Sequence, residues 1–305
     1  MSRSTRRQFT ARLPLLWAAA WASPSARGED GAGFRVMVSR SLMGEVNEND
    51  LRASLKVWAA SILPQAQMPV GWEREILAAP ERLVQAVRDG QVDGVALTVP
   101  EYRGVAAYLN PATLLVDEQR AGKGEQYLIV VRDASGIGSL QELRGHSLVL
   151  HKAAATCLAP AWLQATLGAP SWGAVEAHFS AVTSETRVSK GVILPVFFQK
   201  VDACLLTRRS FDAACELNYQ VGRQLRMMAA SPPLVPILMA FHRDCPPKRQ
   251  NGFLDAVLRL HTSPAGQQVL TLFQAGRLVV RDASVLRTTL ELLAAADRIR
   301  AEARR

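Results

Sequence analysis

The order of apolar runs along the chain constrains its fold more than any other feature. Runs of strand length at residues 34–38, 72–77 and 92–99 alternate with segments whose apolar residues recur at helical spacing. The first such segment carries Leu51, Leu55, Trp58, Ile62 and Leu63 behind a cap at Asn47 or Asn49. The second opens at Pro80, presents Leu83, Val84 and Val87 on one face and stops at Asp89-Gly90. Strand, helix, strand in this order is the signature of a parallel α/β sheet.

The pattern breaks at the glycine-rich stretch 122–124 and resumes with an apolar strand at 127–131. Ser139 is placed to cap a short helix through Leu143, followed by a strand at 147–150 and a helix at 156–167. A strand at 175–182, a helix at 185–198 and a strand at 201–206 complete a second α/β unit. A return strand at 225–230 ends sharply at Ser231-Pro232-Pro233. Beyond it the spacing predicts a strand at 235–241, helices at 253–260 and 264–273, and a last helix at 283–299. Gly266 is expected to cost its helix some stability. A chain of 305 residues suits two such units better than one core.

The N-terminus reads differently. Arg3, Arg6, Arg7 and Arg12 precede a short apolar run at 13–22 that ends in small residues, the pattern of a cleavable export signal over residues 1–26, cut near 22–26. Ser4-Thr5-Arg6-Arg7-Gln8-Phe9 resembles a twin-arginine signal, and no cysteine follows the run to take a lipid anchor. Removing residues 1–22 takes four arginines and no acid, so the net charge falls from +9 to +5. The remaining excess is scattered, without the basic face and interleaved aromatics of a nucleic-acid binder.

Catalytic signatures are missing. The five histidines, His146, His151, His178, His242 and His261, show neither HxH nor HExxH spacing. No GxSxG elbow, P-loop or GxGxxG is present, so neither an enzyme nor a cofactor nor a metal is expected. Of the four cysteines none forms CxxC; Cys204 and Cys215 are close enough in sequence to bridge, but Cys204 sits in an apolar run that suits a buried free thiol equally well.

Several segments together resemble a known family. Val92-Asp93-Gly94-Val95-Ala96-Leu97 with Glu101-Tyr102, the stretch Gly136-Ile137-Gly138-Ser139-Leu140-Gln141-Glu142-Leu143-Arg144-Gly145, and Val201-Asp202-Ala203-Cys204-Leu205-Leu206 are similar to phosphate/phosphite/phosphonate-type solute-binding proteins. Glu216-Leu217-Asn218 and Pro264-Ala265-Gly266-Gln267-Gln268 extend the resemblance. It implies a two-lobed type II periplasmic binding protein fold with two crossover strands at the hinge. The lobes would be 34–125 plus 230–282, and 126–229, with 283–305 as a C-terminal helix. It further implies a periplasmic monomer that holds a small-molecule ligand for an ABC permease, or alternatively feeds a membrane sensor kinase.

In such a fold the loops at the carboxyl ends of strands face the cleft. That makes Ser39 and Arg40, Thr98 and Tyr102, Thr156, Ser184, and Thr207 and Arg208 the candidate ligand-binding residues, Tyr102 foremost by its place in the matched motif. Each has a plain alternative: Thr156 and Ser184 as helix caps, Arg40 and Arg208 as solvated charges, Tyr102 as packing. One departure stands out. Ala153-Ala154-Ala155-Thr156 replaces the serine- and threonine-rich helix start of the phosphonate binders, which removes hydroxyl donors an oxyanion would use.

Overall fold

The computed structural model describes residues 34–43 and 76–304; the helix expected at 51–63 lies outside them. Two sheets organise the described residues. The first has six strands in the order β11-β4-β10-β3-β1-β2. Here β1 (Val36–Ser39), β2 (Leu77–Ala78) and β3 (Gly94–Thr98) run parallel. Between β3 and β4 (Leu109–Asp117) lies β10 (Ile237–His242), antiparallel to both, and β11 (Leu278–Arg281) borders β4.

The second sheet has five strands in the order β7-β6-β8-β5-β9. β6 (Ser147–His151) is parallel to β7 (Ala181–Glu185) and β8 (Ala203–Thr207). β5 (Tyr127–Arg132) is antiparallel to β8 and to β9 (Leu225–Ala230). Tyr127, Leu128, Ile129, Val130 and Val131 are all fully buried, which explains why β5 reads as an unbroken apolar run rather than an alternating one.

The chain passes between the sheets twice, and the two passages touch. The outgoing one runs from β4 through the helix Glu118–Lys123 and Gly124 into β5; the returning one leaves β9 through Ser231-Pro232-Pro233 into β10. Glu125 and Leu234 pair across them in an antiparallel bridge. The buried Ser231 hydroxyl accepts from the Tyr127 N–H at 2.9 Å. Gly124 has φ of 70°, and a Cβ there would stand 2.4 Å from Pro233 Cβ, so only glycine lets the passages approach this closely. Beside them lies a buried charge group: Arg120 Nε is 3.5 Å from Glu125 Oε2, and Asp117 accepts from the Arg120 N–H.

The C-terminal helix, Arg287–Glu302, packs through Leu292 and Leu293 into the main core, buries Ala296, and lies against the helix Ala159–Leu167 of the second sheet. Its Thr289 hydroxyl accepts from the Val235 N–H at 2.8 Å, at the returning passage. Farther along, Asp297 meets Arg103 of the first-sheet helix Val99–Val105 at 2.6 Å.

Several elements differ from expectation, each for a local reason. β4 was not anticipated; Pro111 inside it sits where the β4–β10 register shifts, so no ladder bond is asked of it. Residues 139–143 form turns rather than a helix, since the Glu142 carboxylate accepts from the Gly138 N–H and the Ser139 hydroxyl and folds the segment back. Val175 lies in the short helix Trp172–Glu176, capped by Ser171, and the strand begins only at Ala181. Within 185–198 the chain forms a π-helix, Val188–Ile193, before one α turn, Leu194–Phe197, in which Pro195 has no N–H to give. All four cysteines are free, and Cys204 is fully buried in β8.

Gly266 has a positive reason to be there. A Cβ at this position would lie 2.1 Å from the Leu260 carbonyl oxygen and 2.7 Å from its carbon. Gly266→Ala is therefore expected to lower stability by about 1–3 kcal/mol, despite alanine's better helix propensity, through overpacking against a backbone that cannot yield. A thermal melt of the variant that matches or exceeds the parent would contradict this.

Candidate functional site

The carboxyl ends of the parallel strands carry the polar residues. On the first sheet β1 ends at Ser39 and β3 at Thr98; on the second β6 ends at His151 and β8 at Thr207. The two sets of strand ends are brought against each other. The Cys157 thiol donates to the Pro236 carbonyl at 3.5 Å. Burial, with the Glu101 charge adding to it, pushes that thiol up to about 12. Ala154 belongs to the same buried apolar cluster as Val36, Val38, Leu42 and Met43. Arg209, at the start of the helix Arg208–Leu217, donates to Gln119 Oε1 at 3.0 Å and to the Gln274 carbonyl at 3.2 Å, and lies 3.5 Å from Asp117.

Glu101 organises the first wall. Its Oε1 accepts from the Ser39 hydroxyl at 2.6 Å and the Ser41 hydroxyl at 2.8 Å. Its Oε2 accepts from the Thr98 N–H at 2.8 Å and the Thr98 hydroxyl at 2.9 Å. Ser39 and Thr98 are buried, Glu101 is half-buried and Ser41 is exposed. Tyr102, one residue on, is buried in the main core cluster, and that burial raises its phenol.

The second wall is also self-satisfied. The Thr156 hydroxyl donates to the His151 carbonyl at 2.6 Å and accepts from the Ala153 N–H at 3.1 Å. The Ala155 carbonyl accepts from the buried Tyr127 hydroxyl at 2.8 Å. Thr207 exchanges its hydroxyl with Ser210, accepting that residue's N–H and donating to its Oγ. His151 is buried with Nδ1 unpartnered, and desolvation lowers its pKa so that the ring stays neutral.

Of the sequence candidates, Ser39, Thr98 and Tyr102 stand together at one wall, and Thr156 and Thr207 end strands or turns of the other. Ser184 does not join them; it is exposed on β7, the edge strand of the second sheet. Arg40 is exposed at the end of β1. Arg208 turns to Gln126 Oε1 at 2.8 Å and to Met227, while its neighbour Arg209 makes the contact with the first side. Glu101, Arg209, His151 and Cys157 were not singled out. Only Glu101 left a local signal, the Thr-x-x-Glu spacing of a helix start.

A cavity of about 80 Å³ lies elsewhere, between the first sheet and its covering helices, lined by Val36, Val38, Ala96, Leu115, Met239 and Phe253 among others. Its walls are core side chains, with Asp117 and Arg120 as polar members, so it lacks the converging donors of a polar-ligand site. Among the described residues no group of three His, Cys, Asp or Glu side chains could hold a metal ion.

Residues 48–286 match the family model described as ABC transporter, phosphonate, periplasmic substrate-binding protein. No curated protein sequence matches the chain. Among solved structures, the Xanthomonas citri protein XAC2383 bound to chloride is similar at 20% identity and a TM-score of 0.57, covering 88% of this chain and 99% of that one. A binding protein component of an ABC phosphonate transporter from Pseudomonas aeruginosa is similar at 13% identity and a TM-score of 0.55, covering 88% of each chain. PhnD1 from Prochlorococcus marinus, solved with methylphosphonate, is similar at 13% identity and a TM-score of 0.56, covering 86% of this chain and 98% of that one. At these identities the likeness is one of fold: two α/β layers with mixed parallel and antiparallel sheets, as in periplasmic binding proteins.

Proposed function

The chain belongs to the periplasmic substrate-binding family of phosphonate-type ABC transporters, and from that premise we propose that it captures a small polar solute between its two sheets and hands it to a permease. The family is one of transport rather than catalysis. The observation that carries the reading beyond family membership is the meeting of the two sets of strand ends, Cys157 against Pro236 and Arg209 against Gln119, beside the paired passages at Glu125 and Leu234. Such an arrangement suits a ligand trapped by closure of two halves about a hinge. The halves are built on residues 34–125 with 230–282, and on 126–229. The protein is exported through the signal at residues 1–26 and works as a monomer. Ser39, Thr98, Tyr102, Thr156 and Thr207 shape the cleft, and Arg209 joins them in closing it.

The ligand departs from the oxyanions with which the family is named. Ala153, Ala154 and Ala155 offer methyl groups, and Ala154 packs on apolar side chains of the opposite wall. A thermal-shift screen of the full chain tests capture directly, with phosphate, phosphite, methylphosphonate, sulfonates, small organic acids, polyols and small amines as the panel. A ligand of the native state at 100 times its Kd adds about 2.7 kcal/mol, enough for a shift of a few degrees. At least one solute is expected to give such a shift; a flat response across the panel would sink solute capture.

A further inference from the structure

We infer that Glu101 is the specificity determinant of the cleft: its carboxylate stands where a ligand oxyanion would otherwise be held, so the chain selects a solute that is uncharged or cationic at this wall. The inference rests on the capture reading and names the ligand class it implies.

The argument is one of donors and lone pairs. A carboxylate offers about four lone-pair positions. All four of Glu101 are engaged, by the hydroxyls of Ser39, Ser41 and Thr98 and by the Thr98 N–H. Those same four donors are the side-chain hydroxyls and the strand-end N–H that the described residues of this wall bring together, the groups that could hold a phosphonate or phosphate oxygen. An incoming oxyanion therefore meets a fixed negative charge whose removal would first break four charge-assisted hydrogen bonds. The described hydroxyls of the second wall supply no substitute, because Ala153, Ala154 and Ala155 carry none, Thr156 and Thr207 are bonded within their own segments, and the Arg209 guanidinium is held by Gln119 and the Gln274 carbonyl. The carboxylate is half-buried, and the Ser39 and Thr98 side chains that hold it are buried. A solute between the walls therefore experiences that charge with little screening. With its lone pairs filled, Glu101 acts on the solute by charge rather than by accepting a hydrogen bond.

Methylphosphonate and inorganic phosphate are the probes, titrated calorimetrically into the full chain and into Glu101→Ala and Glu101→Gln. The parent is expected to bind both more weakly than about millimolar. Glu101→Ala frees all four donors and is expected to tighten methylphosphonate by at least about tenfold. Glu101→Gln, of the same size and without the charge, is expected to gain in the same direction by less. Circular dichroism melts establish that each variant is folded, and if the alanine variant is not, the glutamine variant decides. A parent that binds methylphosphonate tightly and loses it on Glu101→Ala would overturn the inference, as would folded variants that gain nothing. Capture and selectivity fail separately. If the parent takes some panel solute while the variants gain no phosphonate affinity, capture stands and the role of Glu101 falls. If phosphonate affinity appears only in the variants while the panel is silent for the parent, exclusion of the oxyanion by Glu101 stands and capture of another solute by the parent falls.

Discussion

Glu125→Ala is expected to destabilise the protein by about 3–5 kcal/mol, the cost of leaving a buried cation without its partner. Arg120 is 3% exposed, its Nε has no hydrogen-bond partner, and the Glu125 carboxylate 3.5 Å away is its nearest counter-charge. A guanidinium cannot escape by losing its proton, so the variant must carry the charge or open the passage to water. The reciprocal change behaves differently. Burial already raises the Glu125 carboxyl, with Arg120 and then Arg209 pulling it down. In Arg120→Met the acid loses its largest opposing influence, its pKa rises further, and it can fold protonated. A raised folded-state pKa gives stability that is present below the unfolded value and lost as pH rises through the folded one. Arg120→Met is therefore expected to approach parental stability at acidic pH and to weaken towards neutrality, while Glu125→Ala stays weak throughout. Urea melts of both variants at two pH values make the comparison, and equal pH dependence would refute the assignment.

Gly124→Ala has a comparable expected effect by another route. With φ of 70° and ψ of 169°, Gly124 occupies backbone space that is nearly exclusive to glycine, worth about 1–3 kcal/mol of strain for any other residue. The added Cβ also meets Pro233 at 2.4 Å from its Cβ and 2.8 Å from its Cα. Pro233 is itself held in the returning passage, so relief would have to separate the passages and strain the Glu125–Leu234 bridge. A loss of about 3–5 kcal/mol is expected. A variant that melts with the parent would show that the passages slide more freely than their contacts indicate.

These two positions also show what could be read in advance. Gly122 to Gly124 and Ser231-Pro232-Pro233 announced breaks, and the unbroken run of β5 announced a buried strand, because turn chemistry and burial are written locally. That Gly124 touches Pro233 is not local and left no mark. The site divides the same way. Strand ends rich in hydroxyls could be picked out, and Thr98 with Glu101 has the spacing of a capped helix. Ser39 and Ser41, about sixty residues upstream, reach the same carboxylate only because β1 pairs with β3. Arg208 was chosen and Arg209 overlooked because successive helical residues point about 100° apart, and the direction of the first turn depends on how its helix docks. β4 left no clear mark for a related reason: a bulge accommodates its proline, and bulges belong to pairs of strands rather than to one segment.

The C-terminal helix has a mechanical consequence. Two neighbouring straps, the passages at Glu125 and Leu234, form a joint that can bend and also shear. A third tie, set off to one side, grips the returning strap through Thr289, lies along the helix Ala159–Leu167 of one half and meets Arg103 of the other. Any relative movement of the halves would have to carry that helix across three separate footings at once. In the closure proposed above, this long helix would thus restrict how the halves move against each other.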